Sequence, residues 1–202
     1  MKRKRDYSGV VVWLTSPGMA VPQPLRKHAQ MLQKNKTFSP HILAIPTGTS
    51  VDFPNLDPIF HNAFSNFEGQ IFDVALYPPG SSKTVRFDRP GIVRVFCNIH
   101  PTMSAIIVVV DSSHIAMTDH EGHYLFPMVT PGKYQIHFFH ERATPETLDA
   151  LDKTITVSGE TLELPSIAIS EAGYLPVAHK NKYGQDYRAG ASDSDSYSLP
   201  LK

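Results

Sequence analysis

Cys97-Asn98-Ile99-His100-Pro101-Thr102-Met103 contains the only cysteine among 202 residues. A thiol, an imidazole three positions on and a thioether three beyond that place three ligand types in one short loop. Thiolate, imidazole and weak thioether, completed by a second imidazole from elsewhere, are the donor set of a blue-copper site. The residues before the cysteine, Val93-Arg94-Val95-Phe96, alternate as a strand does. Those after the methionine, Ser104-Ala105-Ile106-Ile107-Val108-Val109-Val110, read as another strand. The donors are therefore expected on a tight turn between two strands, at one end of a β-sandwich.

A lone cysteine is more commonly a small buried hydrophobe than a ligand. The coincidence of His100, Met103, two flanking strands and an upstream His61-Asn62 pair reverses that ordinary reading. His61 lies 36 positions before Cys97, just after the loop Pro54-Asn55-Leu56-Asp57-Pro58. Phe53, Pro54, Ile59, Phe60 and Phe64 around it offer the low-dielectric shell that tunes a metal and keeps water away. His41, on a predicted strand, is the competing candidate and reads instead as a satisfied core or edge histidine. Zinc would call for more thiolates or a fourth strong donor, and Met103 argues against it.

Outward from this loop, 41% hydrophobic residues suffice for a packed core in one large or two small domains. Lys+Arg and Asp+Glu balance at 19 each, which removes the electrostatic case for a nucleic-acid partner. A single cysteine forbids an intramolecular disulfide. No apolar run approaches the roughly 18–20 residues of a membrane span. Short runs rich in Val, Ile, Phe and Tyr, punctuated by Pro and Gly, argue for an all-β chain. The strands expected first are Val10–Leu14, His41–Ile45, Ser50–Pro54, Ile71–Leu76, Lys83–Phe87, Val93–Phe96 and Ala105–Val110. Leu25–Gln33 is open between helix and strand.

Past Asp111 the expected strands are Ile115–Thr118, Tyr124–Phe126, Lys133–Phe139, Thr154–Val157 and Leu162–Ile169. A hairpin signal stands at Asp119–Gly122, and Tyr134, Ile136 and Phe138 share one face. Thr144 and Pro145 suit the N-cap and first position of a short helix over Pro145–Leu151. From Gly173 the chain is polar, and Ala191–Ser198 is mostly Ser and Asp, too poor in apolar residues to fold.

His61-Asn62 ahead of a strand, Phe87 with a Pro90-Gly91 turn, then Cys97-x-x-His100-Pro101-x-Met103 and a Val-rich strand resemble the cupredoxins. The ligand loop looks most like the amicyanin type. The wider pattern is Phe38-Ser-Pro-His-Ile42, Gly48-Thr-x-Val-x-Phe-Pro-Asn55 and Asp57-Pro-Ile-x-His61. It is similar to bacterial plastocyanin-like proteins of the methylamine-utilisation type. In those, a carboxypeptidase-regulatory-like (transthyretin-like) sandwich follows the cupredoxin domain. Thr118-Asp-His-Glu-Gly122-His-Tyr124 and Val129-Thr-Pro131-Gly132-Lys-Tyr134 carry that second likeness.

This resemblance implies a Greek-key cupredoxin sandwich over residues 8–110, a smaller transthyretin-like sandwich over 111–172 and a disordered tail over 173–202. It implies one type 1 copper ion, with His61, Cys97 and His100 as equatorial ligands, Met103 as the weak axial one, and Asn62 hydrogen-bonding the two ligand loops together. It further implies a one-electron carrier that is not an enzyme, with a redox partner docking near His100 and Pro101. The location implied is periplasmic or otherwise exported in a bacterium, the export signal lying outside this sequence.

Other features yield blander readings. The start, Met1-Lys-Arg-Lys-Arg5 before Val10–Leu14, copies a signal peptide only superficially, because the apolar run is short and Asp6 interrupts it. Lys2–Arg5 reads as a solvated arm. His114, His120, His123, His137 and His140 read as exposed rather than as a second metal site. No nucleophile elbow or phosphate loop is present, and Glu68, Asp73 and Asp88 read as surface groups. Two other functions use the same residues. One is copper storage or delivery; the other is a structural, partner-binding β-sandwich with a stabilising copper ion.

Overall fold

The computed structural model describes residues 6–18, 23–66, 69–174 and 179–187. Lys2–Arg5, Glu68 and Ala191–Ser198 lie outside them. The elements run β1 (Val11–Thr15), β2 (Ala29–Gln30), β3 (Leu32–Lys34), β4 (Thr37–Ser39), β5 (Ile42–Pro46) and β6 (Thr49–Pro54). Next come β7 (Phe64–Ser65), β8 (Phe72–Asp73), β9 (Ser82–Phe87), β10 (Gly91–Phe96) and β11 (Ser104–Val110). The chain continues through β12 (Ile115–Met117), β13 (Gly132–Phe139), α1 (Pro145–Asp149) and β14 (Lys153–Val157). The chain is all-β apart from α1, whose start is the expected one: the Thr144 hydroxyl accepts from the Thr147 N–H at 3.3 Å.

The described residues form two compact units. One holds residues 24–66, 69–109 and 179–187; the other holds 6–18, 23 and 110–174. In the first, a five-stranded sheet is ordered β5-β11-β10-β7-β8, a three-stranded sheet β2-β6-β9, and β3 and β4 form a hairpin. Val51 and Phe53 of β6 and Phe87 of β9 share one core with Val93 and Val95 of β10 and Ala105, Ile107 and Val109 of β11. Alternate residues from two sheets thus meet in one apolar layer, as a sandwich requires.

In the second unit the sheet order is β12-β1-β13-β14, antiparallel throughout. Val12 and Leu14 pack with Tyr134, Ile136 and Phe138, which do share the buried face expected of them. This corrects the domain limits expected at 8–110 and 111–172. The strand expected at Val10–Leu14 forms, but β1 lies between β12 and β13 rather than opening the unit that holds Cys97. An apolar strand advertises that it must be buried; it does not advertise its partner, and here the partners are about a hundred residues away.

Several local expectations also shift. Leu25–Gln33 gives no helix but a bend followed by β2, and then β3 begins. Asn35 and Lys36 both take φ of 55° in the turn between β3 and β4, matching the twist of a two-residue hairpin loop. Ile71–Leu76 shrinks to β8 because Ala75 adopts φ of 57°, which ends an extended run. Tyr124–Phe126 and Leu162–Ile169 contribute apolar packing to the second core without forming strands. The tail expected to be disordered over 173–202 contains residues 179–187, which belong to the first unit and hydrogen-bond to Asn98, Asp73 and Cys97.

Leu14, fully buried in β1, tests the reassignment. Leu14→Ala is expected to cost about 2–5 kcal/mol and to accelerate amide hydrogen exchange in β12 and β13. Acceleration confined to β10 and β11 would place β1 in the other unit.

Candidate metal centre

Strand alternation sets half of the site. Val93 and Val95 point into the core from β10, so the next inward position is Cys97, while Phe96 faces the other side. On β11 the inward series Val109, Ile107 and Ala105 continues to Met103. Cys97 and Met103 accordingly belong to the same core cluster, both essentially without solvent exposure. The Cys97 N–H donates to the Met103 carbonyl at 3.1 Å, and the Met103 N–H to the His100 carbonyl at 3.0 Å. These two bonds close the loop and turn His100 back beside the thiol.

The other half comes from the Pro54–His61 loop. The Asn55 side chain accepts from the Asp57 N–H at 3.1 Å and donates to the Ile59 carbonyl at 2.8 Å, curling the loop around itself. His61 then pairs backbone to backbone with Tyr77, whose hydroxyl donates to the Phe53 carbonyl at 2.8 Å. The His61 ring is wholly buried, and its Nε2 lies 2.8 Å from the Asp57 carboxylate. That carboxylate also accepts from the Asn35 and Lys36 N–H groups at 2.6 and 2.8 Å. Burial works to raise the Asp57 pKa, but these backbone donors and His61 outweigh it and hold the carboxyl below its ordinary value. A bond from Nε2 to Asp57 would turn the Nδ1 side of the ring toward Cys97 Sγ.

Asn62 joins the halves. Its Oδ1 accepts from the Asn98 N–H at 2.6 Å, and its Nδ2 donates to Asp73 at 3.2 Å. A buried amide holding a backbone N–H across 36 residues of sequence fixes the loops more firmly than any exposed contact could.

The result is a cluster of His61, Cys97 and His100 in which one donor atom from each lies within 4.8 Å of the others. Cys97 Sγ is 3.8 Å from His61 Nδ1 and 3.6 Å from His100 Nδ1. An ion bound at about 2.0–2.1 Å by nitrogen and about 2.3 Å by sulfur sets such donors roughly 3.6–3.8 Å apart. The three residues therefore fit a single transition-metal ion. Burial pushes the Cys97 thiol up, against the pull of neighbouring backbone N–H groups, so in the metal-free protein the thiol keeps its proton. His61 is fully enclosed, whereas His100 retains 7% exposure.

The fold brings His61, Cys97 and His100 together, sets Asn62 between the two loops and puts Met103 in the core cluster of Cys97. Among the described residues no other group of three or more metal-binding side chains forms, so the second-unit histidines do not assemble one. His41 is exposed, with Nδ1 3.2 Å from the Ser104 carbonyl. Asp57, Asn55 and Tyr77 were not anticipated in their supporting roles. The spacing of Asp57 four residues before His61 was the visible signal. Asp73 is exposed, as expected of a surface group, and also bonds Asn62 and Lys182.

No protein-family model and no curated protein matches the chain. Among solved structures, a novel purple cupredoxin from Nitrosopumilus maritimus aligns at 26% identity, covering 41% of this chain and 99% of its own, with a TM-score of 0.38. The copper-containing nitrite reductase NirK of Thermus scotoductus SA-01 aligns at 27% over 48% of this chain, with a TM-score of 0.40. This chain covers only 25% of that enzyme. An oxidized amicyanin variant aligns at 15% identity over 48% of this chain and 99% of its own, with a TM-score of 0.39. These likenesses cover less than half of the chain.

Asp57→Asn retains size but leaves an acceptor short among three donors. It is expected to weaken metal binding about 10–100-fold, read by competition with a chelator of known affinity. Unchanged affinity would show that Asp57 does not orient His61.

Proposed function

We propose that the protein is a type 1 copper protein that carries single electrons between redox partners, with His61, Cys97, His100 and the axial Met103 as ligands. The observation that carries this is the buried His61–Cys97–His100 cluster with its two S···N separations of 3.8 and 3.6 Å. A bound copper ion supplies a one-electron couple. The chain's own residues supply rigidity: Asn62 ties the ligand loops, Asp57 sets the His61 ring, and the closed Cys97–Met103 turn holds the thiol. Ligands that do not move between oxidation states lower the reorganisation that accompanies each transfer.

Four protein ligands leave no open position for substrate, so this reading is of a carrier and not an enzyme. His100, less enclosed than His61, with the partly exposed Pro101 beside it, is the side from which a partner would exchange electrons. An exported, periplasmic location suits such a carrier. No helix among the described residues is long and apolar enough to cross a membrane. The unit built on β1, β12, β13 and β14 is read as the carboxypeptidase-regulatory-like module, which would set where the carrier works.

Loading with Cu(II) is expected to release a proton at neutral pH and to produce intense thiolate-to-copper colour, bleached by a mild reductant. Colour that survives Cys97→Ser, or none in the wild type, would refute the assignment. His61→Ala is expected to abolish the band and His41→Ala to preserve it; the reverse pattern would move the second imidazole. Met103→Leu is expected to keep copper while raising its potential, measured by redox titration, because a donor that favours Cu(II) is lost. An unchanged or lowered potential would remove Met103 from the ligand set.

A further inference from the structure

Residues 179–187 belong to the copper-site unit although they follow the second unit in the chain. Their composition supplies no core of its own, and ordering them is entropically costly. They close a turn on themselves: Asn181 Oδ1 accepts from the Tyr183 and Gln185 N–H groups at 2.9 and 3.0 Å. Their bonds outside the segment include several to the stretch around Cys97 and one to Asp73. The His179 ring stacks on Phe96 with centroids 4.2 Å apart. The Lys182 N–H donates to Asn98 Oδ1 at 2.9 Å, and Lys182 Nζ donates to Asp73 at 2.8 Å. The Tyr187 hydroxyl donates to the Cys97 carbonyl at 2.8 Å. His179 Nδ1 stands 3.2 Å from that hydroxyl.

Phe96, Cys97 and Asn98 are thus each held by a different residue of one nine-residue segment. Asp73 and Asn98, which it also grips, both bond the Asn62 side chain. We propose that Tyr187 is a positioning residue for Cys97, and that residues 179–187 form a strap holding the thiol-bearing peptide in one orientation. Tyr187 acts through the Cys97 carbonyl and not by touching the metal. A phenol O–H aimed at the ligand's peptide withdraws electron density from it, which favours the reduced metal.

The proposal deepens the copper reading, and only one arm of its test needs copper. In the metal-free full chain, Tyr187→Phe keeps the ring and removes the hydroxyl. Alkylation of the buried Cys97 by iodoacetamide is expected to accelerate about 3–10-fold, the equilibrium worth of one hydrogen bond, with the unfolding midpoint nearly unchanged. His179→Ala, which removes the stack on Phe96, is expected to act in the same direction. Tyr183→Phe, on the exposed side of the same turn, is expected to label as the wild type does. In the copper-loaded protein, Tyr187→Phe is expected to lower the reduction potential.

Labelling of Tyr187→Phe at the wild-type rate would overturn the strap, whether or not the protein is blue. Faster labelling in a protein that never develops the copper-thiolate band would support the strap and refute the copper reading. Faster labelling of a blue protein with an unchanged potential would refute the positioning of Cys97, leaving mere packing.

Discussion

The two-residue period of β10 and β11 is the constraint on which the rest of the centre depends. Val93 and Val95 must face the core, and because alternation continues past the last paired residue, Cys97 faces it too. The same rule on the returning strand delivers Met103. A slip of one residue in β10 would bring Phe96 inward and turn the thiol out. The apolar packing of the sandwich and the placement of the donors are therefore one event. The cost of turning Val93 and Val95 out of the core guards the position of a single sulfur.

The second imidazole has no such protection, and a different set of forces supplies it. His61 sits on an irregular loop, where no ladder fixes the ring. Hydrogen bonds do so instead: Asn55 shapes the loop, Tyr77 pairs with its end, and Asp57 holds Nε2. Asp57 is itself held by two N–H groups that converge because Asn35 and Lys36 adopt positive φ. A hairpin turn thus acts on the metal centre through one carboxylate. Buried polar networks of this kind tolerate little change, since each member lost leaves others unsatisfied in a low-dielectric surrounding.

Much of this was legible before any coordinates. Short β-branched runs marked most strands within a residue or two, and the Cys97–Met103 spacing named the donors because ligand type and turn length are local properties. Supporting residues were harder to see. Asp57 was visible in the quoted pattern around His61, but its role needs the turn at Asn35 and Lys36, which is distant in sequence. Asp73 looked like any surface acid until Asn62 and Lys182 were placed beside it. Residues 179–187 looked disordered because polar composition predicts poor burial; it does not report that a neighbouring loop offers aromatic and carbonyl partners.

The chain's local pattern was enough to mark an all-β protein and a hairpin carrying thiol, imidazole and thioether. These follow from periodicity and from the chemistry of side chains close together in sequence. Tertiary structure was needed to show that β1 completes the sheet of the second unit, that Asp57 and Asn62 connect separate segments, and that a polar C-terminal stretch clasps Cys97. Each of these depends on partners far apart along the chain. Hydrophobic alternation says that a strand will be buried, and hydrogen-bonding capacity says that a group will be satisfied; neither says by which distant residue.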